Sequence, residues 1–456
     1  MKRKLVIIGL DCATPQLIDS WRQHLPSLNH LISRGTYCKL ESTIPPITVP
    51  AWACMVTGVT PGSLGFYGFR NRKGYSYDGL SFVTSRSLKV KTVWDILSEA
   101  GKDVVVIGVP PSYPPKAVKG CMLSCFLTPS ADSPYAYPAS LKEELEGVVG
   151  EYIFDVLNFR TDDKENLIKQ VYELTEQRFA VAKYLLKNKP WDFFMFVEMG
   201  PDRIHHGFWK YCDPSHVKYE QGNPYANVIF DYYKFLDSKI GEVLEILDDD
   251  ISILVVSDHG AKKMDGGICI NEWLMQEGYL KVKAKPHGIV RFDKVEVDWE
   301  KTKAWAEGGY YGRLFLNVKG REPQGVIEQK DYEKVRDELI EKIESLGDEN
   351  GDPIGTKVYK PEEIYDEVKG IPPDLIILFG DLYWRSVGSI GFNTIWVHEN
   401  DTGPDDANHA MEGIFIASHM EMEKVEKLNI IDIAPMILDY FGFPAPVYVQ
   451  GRSILR

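Results

Sequence analysis

"ISILVVSDHG", residues 251–260, is the stretch whose reading decides the fold. Its first six residues carry no charge and four of them are β-branched; Ser257, Asp258, His259 and Gly260 then arrive together. An uninterrupted apolar run of this kind suits a strand buried on both faces, as in a parallel sheet, with the polar residues at its carboxyl end. The same pattern recurs in "KLVIIGLD" (4–11), "DVVVIGVP" (103–110), "DFFMFVEMGPD" (192–202) and "EGIFIASH" (412–419). Helix-like segments lie between, at 87–101, 163–188 and 226–249. The alternation predicts an α/β fold, with a doubly wound, mostly parallel central sheet flanked by helices. Ligands of such sheets bind beyond the carboxyl ends of the strands, where this chain gathers its Asp and His residues.

The rhythm breaks between residues 283 and 406. There a charged amphipathic helix, "DYEKVRDELIEKIESLG", is followed by the turn-rich "GDENGDPIG" and a strand-like "PDLIILFGD". This predicts an inserted, smaller α+β lobe at 283–406, with the catalytic core made of 1–282 and 407–456.

With 456 residues and a formal net charge of −14, the chain has room for a large core and lacks the basic footprint of a nucleic-acid or anionic-membrane surface. Seven scattered cysteines with no CxxC pair suit reduced thiols. The opening "MKRKLVIIGLDC" is basic, but its apolar run is too short for a signal peptide, and no run approaches the ~20 residues of a membrane span. A cytoplasmic location is expected.

Each candidate for chemistry has a plainer reading beside it. Asp11, at the tip of the first run, is either a helix cap or a ligand. In "GPDRIHHGFW", Asp202 and His206 stand at i and i+4, so a helix would point both from one face, as one metal requires; His205 is off that register. Alone, the pair reads as a cap with surface histidines. Asp258 and His259 would diverge on a regular strand but converge where the chain turns. His409 and His419 flank the last run, and a loop histidine is usually just solvated. In "TIPPITVPAWACMVTG" (43–58), Pro50 suits a first helical turn and Gly58 its end, with a buried helix between. Thr48 then sits at or beside the N-cap, near the positive end of the helix dipole. Thr43 belongs to the incoming strand "TYCKLEST", and Cys54 reads as a packed thiol. Trp305, Tyr310 and Tyr311 of "AWAEGGYYGRLF" either stack on a nucleobase or pack the lobe.

Taken in order, Asp11, Thr48, Asp202/His206, Asp258/His259 and His409 resemble the alkaline phosphatase superfamily, most closely its type I phosphodiesterase/nucleotide pyrophosphatase family. The likeness runs from "VIIGLDCATP" to the closing "IDIAPMILDYFGFPAPVYVQGRSIL". It implies two divalent metals, zinc or alternatively manganese: one held by Asp202, His206 and His409, the other by Asp11, Thr48, Asp258 and His259. It further implies that Thr48 is the nucleophile and that the substrate is small and phosphorylated. The family's phosphate-binding asparagine falls near Phe69 here, so Arg70 or Asn71 is expected to substitute, and the preference for diester, monoester or phosphonate stays open. Cys54 is followed by Met-Val-Thr-Gly, which excludes a sulfatase nucleophile motif. A cofactor-independent phosphomutase is the alternative, although such enzymes use serine. With all seven ligand positions filled, a protein that kept the fold and lost turnover is disfavoured.

Overall fold

The computed structural model describes residues 3–456. Nine strands form the main sheet, in the spatial order Lys427–Asn429, Gly35–Glu41, Glu412–Ser418, Ser252–Val256, Leu5–Leu10, Phe193–Glu198, Val104–Ile107, Gly120–Leu123 and Ala136–Tyr137. The five from Ser252–Val256 to Gly120–Leu123 run parallel. Leu5–Leu10 lies between two parallel partners with every residue buried, which is why its sequence shows no alternation.

One apolar run differs from the expectation. Glu412–Ser418 is antiparallel to both neighbours. The chain re-enters the sheet from the second region at the carboxyl ends of the parallel strands, so this strand runs away from them. His409 therefore sits at the ligand-binding edge. His419 is carried to the opposite edge, beside Ser252 at the start of its strand.

The expected buried helix is Thr48–Thr57, with all ten residues buried. Ile47 is its cap, so Thr48 lies just inside the first turn. Gly58, at φ 72°, ends it by donating its N–H to the Cys54 carbonyl. Cys54 is fully buried, and burial raises its thiol pKa. The incoming strand stops at Glu41; Thr43 lies beyond it, its hydroxyl turned onto the Pro45 carbonyl at 2.7 Å. Gly9 permits a close approach: a Cβ there would lie 2.6 Å from Trp52 Cη2, so the indole can lie flat on the strand. All seven cysteines are free thiols.

A second apolar cluster surrounds an antiparallel sheet of Ala304–Glu307, Gly312–Leu316, Leu375–Leu378 and Lys357–Tyr359, covered by the helix Tyr332–Glu344. Ile268, Trp273 and Leu274, from before residue 283, share this cluster. Among the described residues no helix is long and apolar enough to cross a membrane.

Candidate metal centre

Three strand ends and one helix start deliver the site. Asp11 follows Leu5–Leu10, and Asp258 and His259 follow Ser252–Val256. The helix Gly200–Cys212 begins one residue after Phe193–Glu198 and carries Asp202 and His206 on one face. His409 lies on Ala407–Ala410, which pairs with Gly260–Lys263 and so is pinned beside His259. Asp202, His206 and His409 form one triad of potential ligand atoms within 4.8 Å of one another; Asp11, Asp258 and His259 form a second. All six side chains are buried. Thr48 Oγ1 lies 3.3 Å from His259 Nε2, at the edge of the second triad.

Hydrogen bonds on the outer side of each group define what faces inward. His206 Nδ1 meets Asp405 Oδ1 at 2.7 Å, His409 Nδ1 meets the Pro46 carbonyl at 2.7 Å, and His259 Nδ1 meets the Gly260 carbonyl at 3.1 Å. Those acceptors assign the proton of each neutral ring to Nδ1, which leaves a lone pair on every Nε2. The carboxylates behave alike. Asp11 Oδ2 accepts from Trp52 Nε1 at 2.7 Å, Asp258 Oδ1 from the Cys12 N–H at 3.2 Å, and Asp202 Oδ2 from Arg203 Nη1. The opposite oxygens, Asp11 Oδ1, Asp202 Oδ1 and Asp258 Oδ2, have no hydrogen-bond partner among the described residues. They face the lone pairs: Asp202 Oδ1 is 3.3 Å from His206 Nε2, and Asp258 Oδ2 is 3.2 Å from His259 Nε2. The two rings of the first triad meet Nε2 to Nε2 at 3.3 Å. Acceptors crowded together without a donor repel one another, and a cation resolves that conflict. The mixed oxygen and nitrogen donors fit a divalent metal in each triad.

The ionisation of these groups reflects the same shortage of positive charge. Burial, with Asp202 nearby, pushes the Asp11 carboxyl well above its usual range, and burial with Asp11 nearby does the same to Asp258. Burial would raise Asp202 too, but His206 and Arg203 outweigh it and hold that carboxyl low. Burial opposes charge on His206, yet Asp405 and Asp202 carry it up to about 9. A proton and a metal thus compete for its Nε2. Burial lowers His259 to about 4 and, with His259 and His206 as like charges, keeps His409 well below the usual range.

Not every expected residue joins the site. Asn71 commits its carboxamide to its own turn, with Oδ1 accepting from the Tyr67 N–H at 2.7 Å and Nδ2 donating to the Gly68 carbonyl at 3.1 Å. Arg70 lies 5.9 Å over the Phe82 ring. Among the described residues neither makes a hydrogen bond or ion pair to the triads. His205 is no surface histidine: it is fully buried, 3.2 Å from the Tyr233 hydroxyl. Trp305 and Tyr311 pack. Trp305 belongs to the second cluster, and the Tyr311 hydroxyl binds the Tyr67 carbonyl.

Tyr310 packs at the edge of a cluster with Tyr311, Ile376 and Leu378, and it also reaches the first triad. Its ring stacks on His206 (4.7 Å between centroids) and lies tilted against His409 (4.3 Å), and its hydroxyl donates to Asp405 Oδ2 at 3.0 Å. Arg160 Nε grips the same oxygen at 2.8 Å. Sequence reasoning did not single out Asp405, Arg160 or Trp52. The acidic pair just ahead of "NHA" was visible, but nothing in its spacing ties Asp405 to a histidine 199 residues away.

Two buried Asp/His triads thus stand beyond the carboxyl ends of a mostly parallel sheet, an arrangement suited to a pair of divalent cations. Solved structures that share the fold include the following three. Human ectonucleotide pyrophosphatase/phosphodiesterase 5 aligns at TM-score 0.55 and 12% identity, covering 98% of this chain and 97% of that one. An inactive variant of the murine enzyme, in complex with AMP, aligns at 0.55 and 14%, covering 97% and 96%. Phosphonoacetate hydrolase from Sinorhizobium meliloti 1021, in complex with phosphonoformate, aligns at 0.59 and 16%, covering 97% and 96%. No curated protein sequence matches the chain. The sequence pattern of the type I phosphodiesterase / nucleotide pyrophosphatase family matches residues 5–405, and the chain belongs to that family of phosphoric ester hydrolases. His409 lies four residues past the matched stretch, so its place beside His206 rests on geometry.

Proposed function

We propose that this enzyme hydrolyses phosphodiester or nucleotide-type pyrophosphate bonds at a two-metal centre, through a phosphorylated Thr48. The observation that carries the reading is the convergence of three Nε2 lone pairs and three unpartnered carboxylate oxygens beside the Thr48 hydroxyl. Asp202, His206 and His409 would hold one cation; Asp11, Asp258 and His259, with Thr48, the other. Such cations, zinc or alternatively manganese, would lower the hydroxyl pKa and offset phosphoryl charge. The chain's own contribution is position. Thr48 occupies the first helical turn, where the helix dipole favours an anion. Its oxygen attacks phosphorus in line, the bond to the leaving oxygen breaks on the far side, and that oxygen takes up a proton. Water then displaces the phosphoryl group from Thr48 as the monoester, or as phosphate where the substrate is itself a monoester, and restores the hydroxyl. Arg70, whose guanidinium makes no hydrogen bond within the described chain, is the expected substrate contact we carry forward.

The test is metal analysis, with a diester, a monoester, a nucleotide pyrophosphate and a phosphonate offered to wild type and Thr48→Ala. The variant should keep its metals and lose about 10³-fold or more in kcat/KM. Unchanged turnover would remove Thr48 as nucleophile. Transfer of the phosphoryl group within one molecule, without phosphate release, would favour the mutase reading, and preference for the phosphonate would move the assignment to C–P bond cleavage.

A further inference from the structure

Arg385 stands on the strand Trp384–Val387, beside Tyr310 and Asp405. Its side chain is only 5% exposed, and none of its N–H groups makes a hydrogen bond; Nε and Nη1 are wholly buried. The acceptors nearby are already engaged. Asp405 gives Oδ1 to His206 and Oδ2 to both Arg160 Nε and the Tyr310 hydroxyl, leaving Arg385 Nη1 3.7 Å away. Asp401 accepts from the Ser389 hydroxyl at 2.7 Å. A guanidinium carries five donors in a planar fork shaped for carboxylate or phosphate, and buried donors are nearly always satisfied. A second fork adjoins it. Arg160 uses Nε and Nη2 on Asp405 and Tyr310, keeps Nη1 free of hydrogen bonds, and is 23% exposed. Both guanidinium carbons lie 5.6 Å from the centre of the Tyr310 ring, which itself stacks on His206 and lies tilted against His409. The two cations therefore border Tyr310 and Asp405, the side chains that contact His206 of the first triad.

We propose that Arg385, with Arg160, forms an anion subsite for a second oxyanion carried by the substrate away from the reacting phosphorus. The preferred leaving group is then itself anionic, bearing a carboxylate or a further phosphate. This rests on the reading of the triads and Thr48 as a phosphoryl site. A neutral alcohol would leave the Arg385 donors unmet, whereas an oxyanion satisfies two of them at once.

Three ligands of equal chain length separate the possibilities by calorimetry on the metal-loaded full chain: propylphosphonate, 3-phosphonopropionate and 1,3-propanediylbisphosphonate. The wild type should bind at least one anionic-tailed ligand tenfold or more tighter than propylphosphonate, and the better of the two identifies carboxylate or phosphate. Arg385→Met should erase that preference, and Arg385→Lys should keep part of it. Equal affinity for all three in the wild type would overturn the subsite, as would a preference surviving in folded Arg385→Met. If Arg385→Met does not fold, the wild-type ratio and Arg385→Lys decide. Failure of the wild type to bind any of the three would count against the phosphoryl centre itself.

Discussion

Asp202, His206 and His409 are braced largely by side chains. Tyr310 and Asp405 come from the long excursion between the core strands Ser252–Val256 and Glu412–Ser418, and Arg160 from the loop before the helix Lys164–Asn188. Asp11, Asp258 and His259 are braced by the core itself, through the Cys12 N–H, the Gly260 carbonyl and the Trp52 indole. Two triads of nearly the same composition thus differ in rigidity. Backbone donors at strand ends move only if the sheet moves, whereas a carboxylate shared by a tyrosine and an arginine moves with whatever carries it. The second triad, which lies beside Thr48, has the stiffer support.

The largest effect that separates the triads is expected from Asp405→Asn. It removes the carboxylate charge beside His206 and the second oxygen that Arg160 and Tyr310 hold, and should weaken metal at the first triad by about ten- to a hundred-fold, leaving the second occupied. Competition titration with a metal indicator would read this as loss of one equivalent; parallel loss of both would mean the triads are one unit. Trp52→Phe is the mirror experiment. It leaves Asp11 Oδ2 without its donor, should loosen the second triad first, and should cost about 1–3 kcal/mol of stability in denaturant unfolding of the metal-free protein. Tyr310→Phe keeps the stacked ring and removes only the hydroxyl, so a decrease of a few-fold in first-triad affinity is expected, with no change at the second.

The smallest effect concerns pH. His216 holds the segment that leads into His409: its Nε2 donates to the Asp406 carbonyl at 3.0 Å while Nδ1 accepts from the Lys218 N–H. Burial lowers its pKa from 6.5 to about 4. The unfolded chain therefore takes up this proton first as pH falls. Stability from this group is complete above about pH 6.5 and declines as pH falls toward 4. His216→Gln should flatten that part of the unfolding profile in the metal-free protein. An unchanged slope would show that other groups set it.

Much of this was legible in the sequence because the relevant physics is local. Leu5–Leu10 and Ser252–Val256 read as doubly buried strands since no polar residue interrupts them. Asp202 and His206 share a face because a helix of any context brings i and i+4 together. Thr48 followed from Pro50 and Gly58, which mark where a helix can start and stop. The expectations that changed depended on partners far along the chain. Asn71 was available to phosphate on paper, and its own turn engages Oδ1 and one N–H of Nδ2. Tyr310 read as a base-stacker or a core residue, and it became a wall of the first triad because the second region folds back onto Asp405.

By itself, the sequence determined the strand-helix alternation, the apolar helix that begins at Thr48 and the supply of acidic and imidazole groups at strand ends. Each follows from the chemistry of residues within a turn or two of one another. Only the tertiary structure decided the direction of Glu412–Ser418, and with it that His409 faces the site while His419 does not. It alone also decided which oxygen of each carboxylate stays free and which ring nitrogen keeps its lone pair. Those choices belong to hydrogen bonds between groups up to 363 residues apart, and no local pattern can encode a partner at that distance.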